Sequence, residues 1–216
     1  MPEPRVMKID YVSDVMCPWC AVGLYGLLEA LDRVKGEISA EITFQPFELN
    51  PDMPAGGVDG AEYVARKYGL APEQAAANRA VIRERAAAVG FDMAALDTRR
   101  LYNSFDAHRL LHWAAIEGRQ LGLKRALLEA HFTRGEDVSD PEVLARAAEQ
   151  AGLDGAAARE VLRSGAHADE VRADEAAWRA RGVHSVPAII IDNRYLVSGG
   201  QPPEAFEQAL RLAASG

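Results

Sequence analysis

Apolar and polar residues alternate from Val6 to Val12 (Val-Met-Lys-Ile-Asp-Tyr-Val), the two-residue period of a strand. Ser13-Asp14 breaks the alternation as a turn. From Pro18 to about Lys35 the period lengthens: Val22, Leu24, Leu27, Leu28 and Leu31 recur at helical spacing, and Gly36 ends the run. Ala40–Phe47 reads as a second strand, so the first 47 residues give strand, helix, strand, a length that suits a βαβ unit.

A turn-rich stretch, Asn50–Gly60, follows, and beyond it Ala, Arg, Glu and Leu dominate for about 120 residues. Asp59 with Glu62 three positions on is a capping signature for a helix ending at Gly69, and Pro72 opens another that runs to Gly90. Further helices are predicted over about 103–117, 121–133, 141–151, 155–163 and 166–181, with Asp140-Pro141 starting the third of these. After Gly182 the strand pattern returns. Pro187–Ile191 is a short β-branched run, Asp192-Asn193-Arg194 a hairpin turn, Tyr195–Val197 its return strand, and Pro203–Leu212 a last helix. Sheet material at the two ends alone predicts an α/β fold. One discontinuous domain, residues 1–59 and 182–216, would carry an all-α insertion over 60–181.

About half of the 216 residues are apolar, enough to bury a core without staples. The net charge of −8, with 32 acidic and 24 basic residues and no Lys/Arg run, argues against nucleic acid and anionic lipid as partners. No apolar stretch approaches the ~20 residues that cross a bilayer. The opening residues run into the first strand without a signal-type apolar region, so the protein is expected to be cytoplasmic.

The two cysteines, Cys17 and Cys20, sit three positions apart in an otherwise cysteine-free chain, which points to chemistry rather than stapling. Pro18 suits the first helical position, which leaves Cys17 at the helix N-terminus, where free N–H groups and the macrodipole favour a thiolate. Such placement lowers a thiol pKa from ~8.5 into a range of ~3.5–7.5. Cys20 lies one turn on, so Cys17 is expected to attack and Cys20 to resolve, with Trp19 on the exposed active-site surface. A zinc half-site would need two more ligands. His108 and His112, at i, i+4, are the single pair of histidines with metal spacing and are expected to decorate a helix, so no metal is expected. Two buried structural thiols are the other alternative; the strand-to-helix position favours redox chemistry over both. In Gly182-Val-His-Ser-Val-Pro187, a proline opening a strand raises the question of a cis bond, which spacing alone leaves open.

Cys17-Pro-Trp-Cys20 together with Gly182-Val-His-Ser-Val-Pro187-Ala-Ile-Ile-Ile-Asp-Asn-Arg-Tyr-Leu-Val-Ser-Gly-Gly-Gln201 resembles the DsbA-like thioredoxin-fold oxidoreductases. The FrnE-type branch is the nearest match, itself akin to 2-hydroxychromene-2-carboxylate isomerases and kappa-class glutathione transferases. Phe44–Pro51, Ala107–Leu111, Asp140–Val143 and Val171–Glu175 agree with that branch. The resemblance implies a thioredoxin fold interrupted by a helical domain, with Val186-Pro187 as a cis-proline loop facing the cysteines. The Val186 backbone would then pair with an extended substrate. Ser198–Gln201 occupy the place that holds glutathione in some relatives, although Gln201-Pro202-Pro203 stands where kappa-type enzymes have Asp-Arg. Those relatives carry Ser at the position of Cys17, so the dithiol argues against pure isomerase chemistry.

Asp14 and His184 are candidates for tuning the Cys17 pKa, each weighed against a plain turn or surface role. Asn103, His108 and Arg109 on the insertion, and Gly200 and Gln201, are candidate substrate or glutathione contacts. The expected function is thiol–disulfide exchange with a protein or small-molecule disulfide through a mixed disulfide. No bound cofactor is expected; glutathione enters as a thiol co-substrate. A glutathione-dependent isomerase or transferase acting on an aromatic or polyketide-like molecule, and a non-catalytic binding module, are the rival readings. Monomer and homodimer both stay open at this point.

Overall fold

The computed structural model describes residues 4–216. Strand β1 (Arg5–Ser13) lies inside a four-stranded sheet, parallel to β2 (Ile38–Pro46) on one side and antiparallel to β5 (Ala188–Ile191) on the other, with β6 (Tyr195–Ser198) completing the order β2-β1-β5-β6. Helix α1 (Pro18–Val34) makes the parallel crossover and packs with α9 (Pro203–Ser215) on one sheet face. Met7, Ile9 and Tyr11 from β1, Leu24 and Leu27 from α1 and Phe206 and Leu210 from α9 are buried together there. Side chains of a strand alternate in direction, so Val12 turns to the other face. There it meets Phe47, Ala188 and Trp178 of α8 (Ala168–Ala180). The β5–β6 turn places Asp192 and Asn193 at φ 50° and 55°, left-handed values that Asp and Asn tolerate better than most residues.

Between the sheet halves stand α2 (Gly60–Tyr68), α3 (Pro72–Ala88), α4 (Phe105–Ile116), α5 (Gln120–Leu128), α6 (Pro141–Gln150) and α7 (Gly155–Ser164). The expected caps form: Asp59 accepts from the Glu62 N–H at 2.8 Å and Asp140 from Glu142 at 2.8 Å. A second core joins Leu110, Leu111, Leu123, Leu127, Leu144 and Val161. Val15 and Met16 belong to it too, so the two residues preceding Cys17 are gripped by the helical layer while Ala21, Val22 and Leu24 of α1 belong to the sheet-side core. The segment from α3 to Leu96 packs into the sheet-side core through Ala86, Phe91, Met93 and Leu96.

Three features differ from the sequence expectation. The helix predicted to Thr133 leaves α geometry at Leu128 and continues as a π-helical turn, Glu129–Thr133. Asn103 precedes α4 rather than lying in it, its Oδ1 accepting from the Phe105 N–H at 2.9 Å. A two-residue pair, β3 (Val58–Asp59) with β4 (Arg100–Leu101), was too short to carry any period. The outer edge of β2 is covered by a side chain: Gln120 accepts from the Phe44 N–H at 2.8 Å and donates to the Phe44 carbonyl at 3.0 Å.

Candidate active site

Cys17 is the N-cap of α1, with extended backbone (φ −90°, ψ 115°), and Pro18 occupies the first turn. The approach is fixed by Asp14. Its carbonyl accepts the Cys17 N–H at 3.3 Å, while its carboxylate accepts from Met16 N–H at 3.0 Å and from Leu49 N–H at 2.7 Å. Both thiols are free; Cys17 is 5% exposed and Cys20 wholly buried. The Cys17 thiol points at the Val186 carbonyl, Sγ to O 3.7 Å, and the Val186–Pro187 bond is cis. The half-buried Val186 thus faces the Cys17 thiol.

The two sulfurs differ in acidity. Cys17 is held below its ordinary pKa chiefly by the Cys20 thiol donating to it, with the N–H groups of Cys20 and Trp19 helping against burial and the nearby Asp14 carboxylate. Cys20 is pushed well above its ordinary value by burial and by the Cys17 sulfur beside it. Tyr11, also buried, donates its hydroxyl to the Cys20 carbonyl at 2.9 Å and fixes the first turn from below. Among the described residues no three His, Cys, Asp or Glu side chains gather so as to hold a metal ion.

Asp14 shapes the turn, its carboxylate accepting from Met16, and its charge acts against the lowering of Cys17. Burial raises its pKa, yet the facing His108 and the Leu49 and Met16 N–H groups bring it below the ordinary carboxylate value. His108 does not decorate the helix surface as expected. It is buried, with Nε2 3.7 Å from Asp14 Oδ1. His184 is exposed and lines a separate surface cleft with Trp178, Arg181 and Asn193. Trp19 is half-buried rather than exposed, because Gly200 lies against its backbone and ring edge. Gln201 donates to the Ser198 carbonyl of its own loop at 2.8 Å. Asn103 donates to Glu48 at 3.2 Å and to the Pro51 carbonyl at 2.9 Å. Buried Arg109 donates to the Ala166 carbonyl at 2.8 Å and pairs with Asp106 at 2.6 Å, tying α4 to the end of α7.

Three buried basic side chains that sequence reasoning missed, Arg99, Lys124 and His131, lie in the interior together with the already named His108. Arg99 Nε, His108 Nε2, Lys124 Nζ and both ring nitrogens of His131 have no hydrogen-bond partner among the described residues. A signal existed for Lys124, which shares the i+3, i+4 stripe of Leu127 and Leu128 and so interrupts an apolar face with a charge.

A thiol of lowered pKa at a helix start, a buried second thiol and a facing proline loop on a βαβ…ββα sheet define a thioredoxin-fold dithiol protein. Residues 8–211 match the DSBA-like thioredoxin domain, and the chain belongs to that family. Its structure superposes on a probable DsbA oxidoreductase from Streptomyces coelicolor with a TM-score of 0.90 and 37% identity, covering 97% of this chain and 90% of that one. It shares its fold with the cytosolic disulfide reductase DsbM from Pseudomonas aeruginosa, solved with GSH (TM-score 0.65, 17% identity, 97% and 100% covered). The uncharacterized protein YwbO of Bacillus subtilis is 25% identical over 205 residues, 94% of this chain and 96% of that protein.

Proposed function

We propose that this protein is a thiol–disulfide oxidoreductase in which Cys17 attacks and Cys20 resolves. The observation that carries the reading is the split acidity of the pair: the Cys17 sulfur at the helix start is the easier to ionise, the Cys20 sulfur, wholly buried, the harder. The Cys17 thiolate attacks one sulfur of a substrate disulfide, whose S–S bond breaks and whose other sulfur leaves as a thiolate and takes a proton. The Cys20 sulfur then bonds to Cys17, and the substrate's second sulfur departs with its electron pair. The substrate is reduced, and the protein's own dithiol is oxidised to a disulfide. Two molecules of a small thiol such as glutathione restore the dithiol. The backbone beside Val186 offers an extended substrate a strand-like partner. A reductase role in the cytoplasm fits best, a reading supported by the fold shared with a cytosolic disulfide reductase.

Insulin reduction coupled to glutathione tests this. Cys17→Ser is expected to abolish turnover, and Cys20→Ser to accumulate a mixed disulfide visible by mass spectrometry. Full activity in Cys17→Ser would sink the proposal. A redox titration of the pair against glutathione then gives the direction of exchange.

A further inference from the structure

Resolution requires Cys20 to lose its proton, yet Cys20 is wholly buried, so bulk water at neutral pH is a poor acceptor for it. We propose that Lys124 is the internal proton acceptor for Cys20, taking the thiol proton directly or across one water molecule as Cys20 attacks the mixed disulfide at Cys17. The inference rests on the dithiol reading above and adds a residue from the helical insertion to it.

Lys124 is the one buried residue among the chain's four lysines. Its amine has no hydrogen-bond partner among the described residues. Burying an amine without a partner is costly, so the position calls for a function. Nζ lies 5.7 Å from the centroid of the Phe44 ring, Phe44 packs on Tyr11 at 5.6 Å, and the Tyr11 hydroxyl holds the Cys20 carbonyl at 2.9 Å. This run of contacts joins the amine to the turn that bears Cys20.

The other charged and titratable groups around the pair each fail as an acceptor. Asp14 is kept ionised by His108 and two N–H groups, which makes it a weak base. His108 turns its free nitrogen toward Asp14. Tyr11 already donates its proton to a carbonyl. His131 is pushed down to about 3 by burial, too low to capture a thiol proton. Arg99, lowered to about 10 by burial, is still charged at neutral pH and has no free lone pair. Burial lowers Lys124 as well, against the fields of Cys20, Asp14 and Cys17, which makes its neutral amine easier to reach than that of an exposed lysine.

The step balances. The Cys20 proton moves to Nζ, the Cys20–Cys17 bond forms, and the bond from Cys17 to the substrate breaks, the substrate sulfur leaving as a thiolate. Lys124 and His108 both line a cleft of about 420 Å³ between β2 and helices α4, α5 and α8, through which the ammonium returns its proton to water.

An aromatic disulfide that releases a coloured thiolate separates the two steps, because attack by Cys17 frees one equivalent and resolution by Cys20 a second. Lys124→Met is expected to keep the first phase and to slow the second at pH 7 by about ten- to a hundredfold, within the range of general base catalysis. The gap should close at high pH, where hydroxide does the work. Lys124→Arg, charged but unable to accept a proton, should be equally slow. A wild-type second phase in either variant would overturn the proposal, whereas a missing first phase in the wild type would instead overturn the dithiol reading. The unsubstituted protein gives an independent check, with Cys17 alkylated and the lysines isotopically labelled for NMR. Lys124 should titrate well below the three exposed lysines, and titration together with them would overturn the proposal.

Discussion

At the scale of single residues the site is a set of protonation preferences imposed by position. The Cys17 thiolate is stabilised first by the Cys20 thiol, ahead of the backbone N–H groups of the helix start. Cys20→Ala removes that donor without adding a charge. The pH midpoint of Cys17 alkylation by iodoacetamide is therefore expected to rise by about one unit, the equivalent of a hydrogen bond worth ~1.4 kcal/mol; an unchanged midpoint would show that the helix terminus acts alone. His131 gives a stability signal with a definite sign. The imidazole titrates near 6.5 when unfolded but near 3 when folded, because burial opposes its charge. Between those values the unfolded chain binds a proton that the folded chain refuses. Its contribution is thus complete above pH 6.5 and is lost as pH falls, by up to about 1.4 kcal/mol per unit. Urea unfolding between pH 4 and 7 should show this slope, and His131→Phe should flatten it. The cysteines were legible in the sequence because their spacing is local and their neighbours Pro18 and Gly36 mark the helix they open. His131, Arg99 and the burial of His108 were not. Each is one polar residue in an Ala- and Leu-rich run, and its surroundings arrive from segments dozens of residues away.

Elements hold the dithiol through close backbone approach. A Cβ on Gly200 would lie 2.8 Å from the Trp19 carbonyl and 3.0 Å from its ring, and one on Gly23 would lie 2.7 Å from the Tyr11 hydroxyl. The first turns of α1 therefore pack directly on the loop between β6 and α9. Gly200→Ala is expected to push on the turn between the two cysteines. It should cost about 1–3 kcal/mol, as other over-packed sites do, and slow Cys17 alkylation. Gly36→Ala, whose Cβ meets nothing within 4 Å, serves as the neutral comparison in the same urea and alkylation measurements. Sequence periodicity located the strands of the main sheet and the helices to within a few residues, since each carries a long apolar stripe or a cap of its own. It did not locate the π-helical turn at Glu129–Thr133, whose Leu-Leu-Glu-Ala-His-Phe run reads as ordinary helix. That turn buries Ala130, His131 and Phe132, and the Phe132 carbonyl accepts the Ala95 N–H at 2.9 Å. A contact of that range has no trace in local spacing.

Across the whole molecule, sheet and helical layers meet at a network centred on Glu48, just beyond β2. Its carboxylate is buried, pairs with Arg172 of α8, and accepts from Asn103 at 3.2 Å. Arg172 also reaches Glu175 at 2.9 Å, and Glu175 in turn accepts the Glu48 N–H at 3.0 Å. The next residue, Leu49, donates to Asp14, whose carbonyl accepts the Cys17 N–H, so one run of contacts leads from α8 to Cys17. Burial and the neighbouring Glu175 raise the Glu48 pKa, and Arg172 opposes them. Arg172→Met would leave two adjacent carboxylates without their cation. The Arg172 side chain is 50% exposed, so solvent screening keeps the cost nearer ~1.5–3 kcal/mol, the range for hydrogen bonds to charged groups, than the larger penalty of a fully buried pair. A folded carboxyl whose pKa lies above its unfolded value gains a proton first in the folded state, so stability rises as pH falls through the raised value. The loss in Arg172→Met should therefore be greatest at pH 7 and shrink toward pH 5. Adding Glu48→Gln should recover most of it. Urea unfolding of the wild type and the single and double variants at pH 5 and 7 measures all of these terms; a loss independent of pH would place the role of Arg172 in its packing over Phe105, where the guanidinium stands 3.7 Å from the ring centroid.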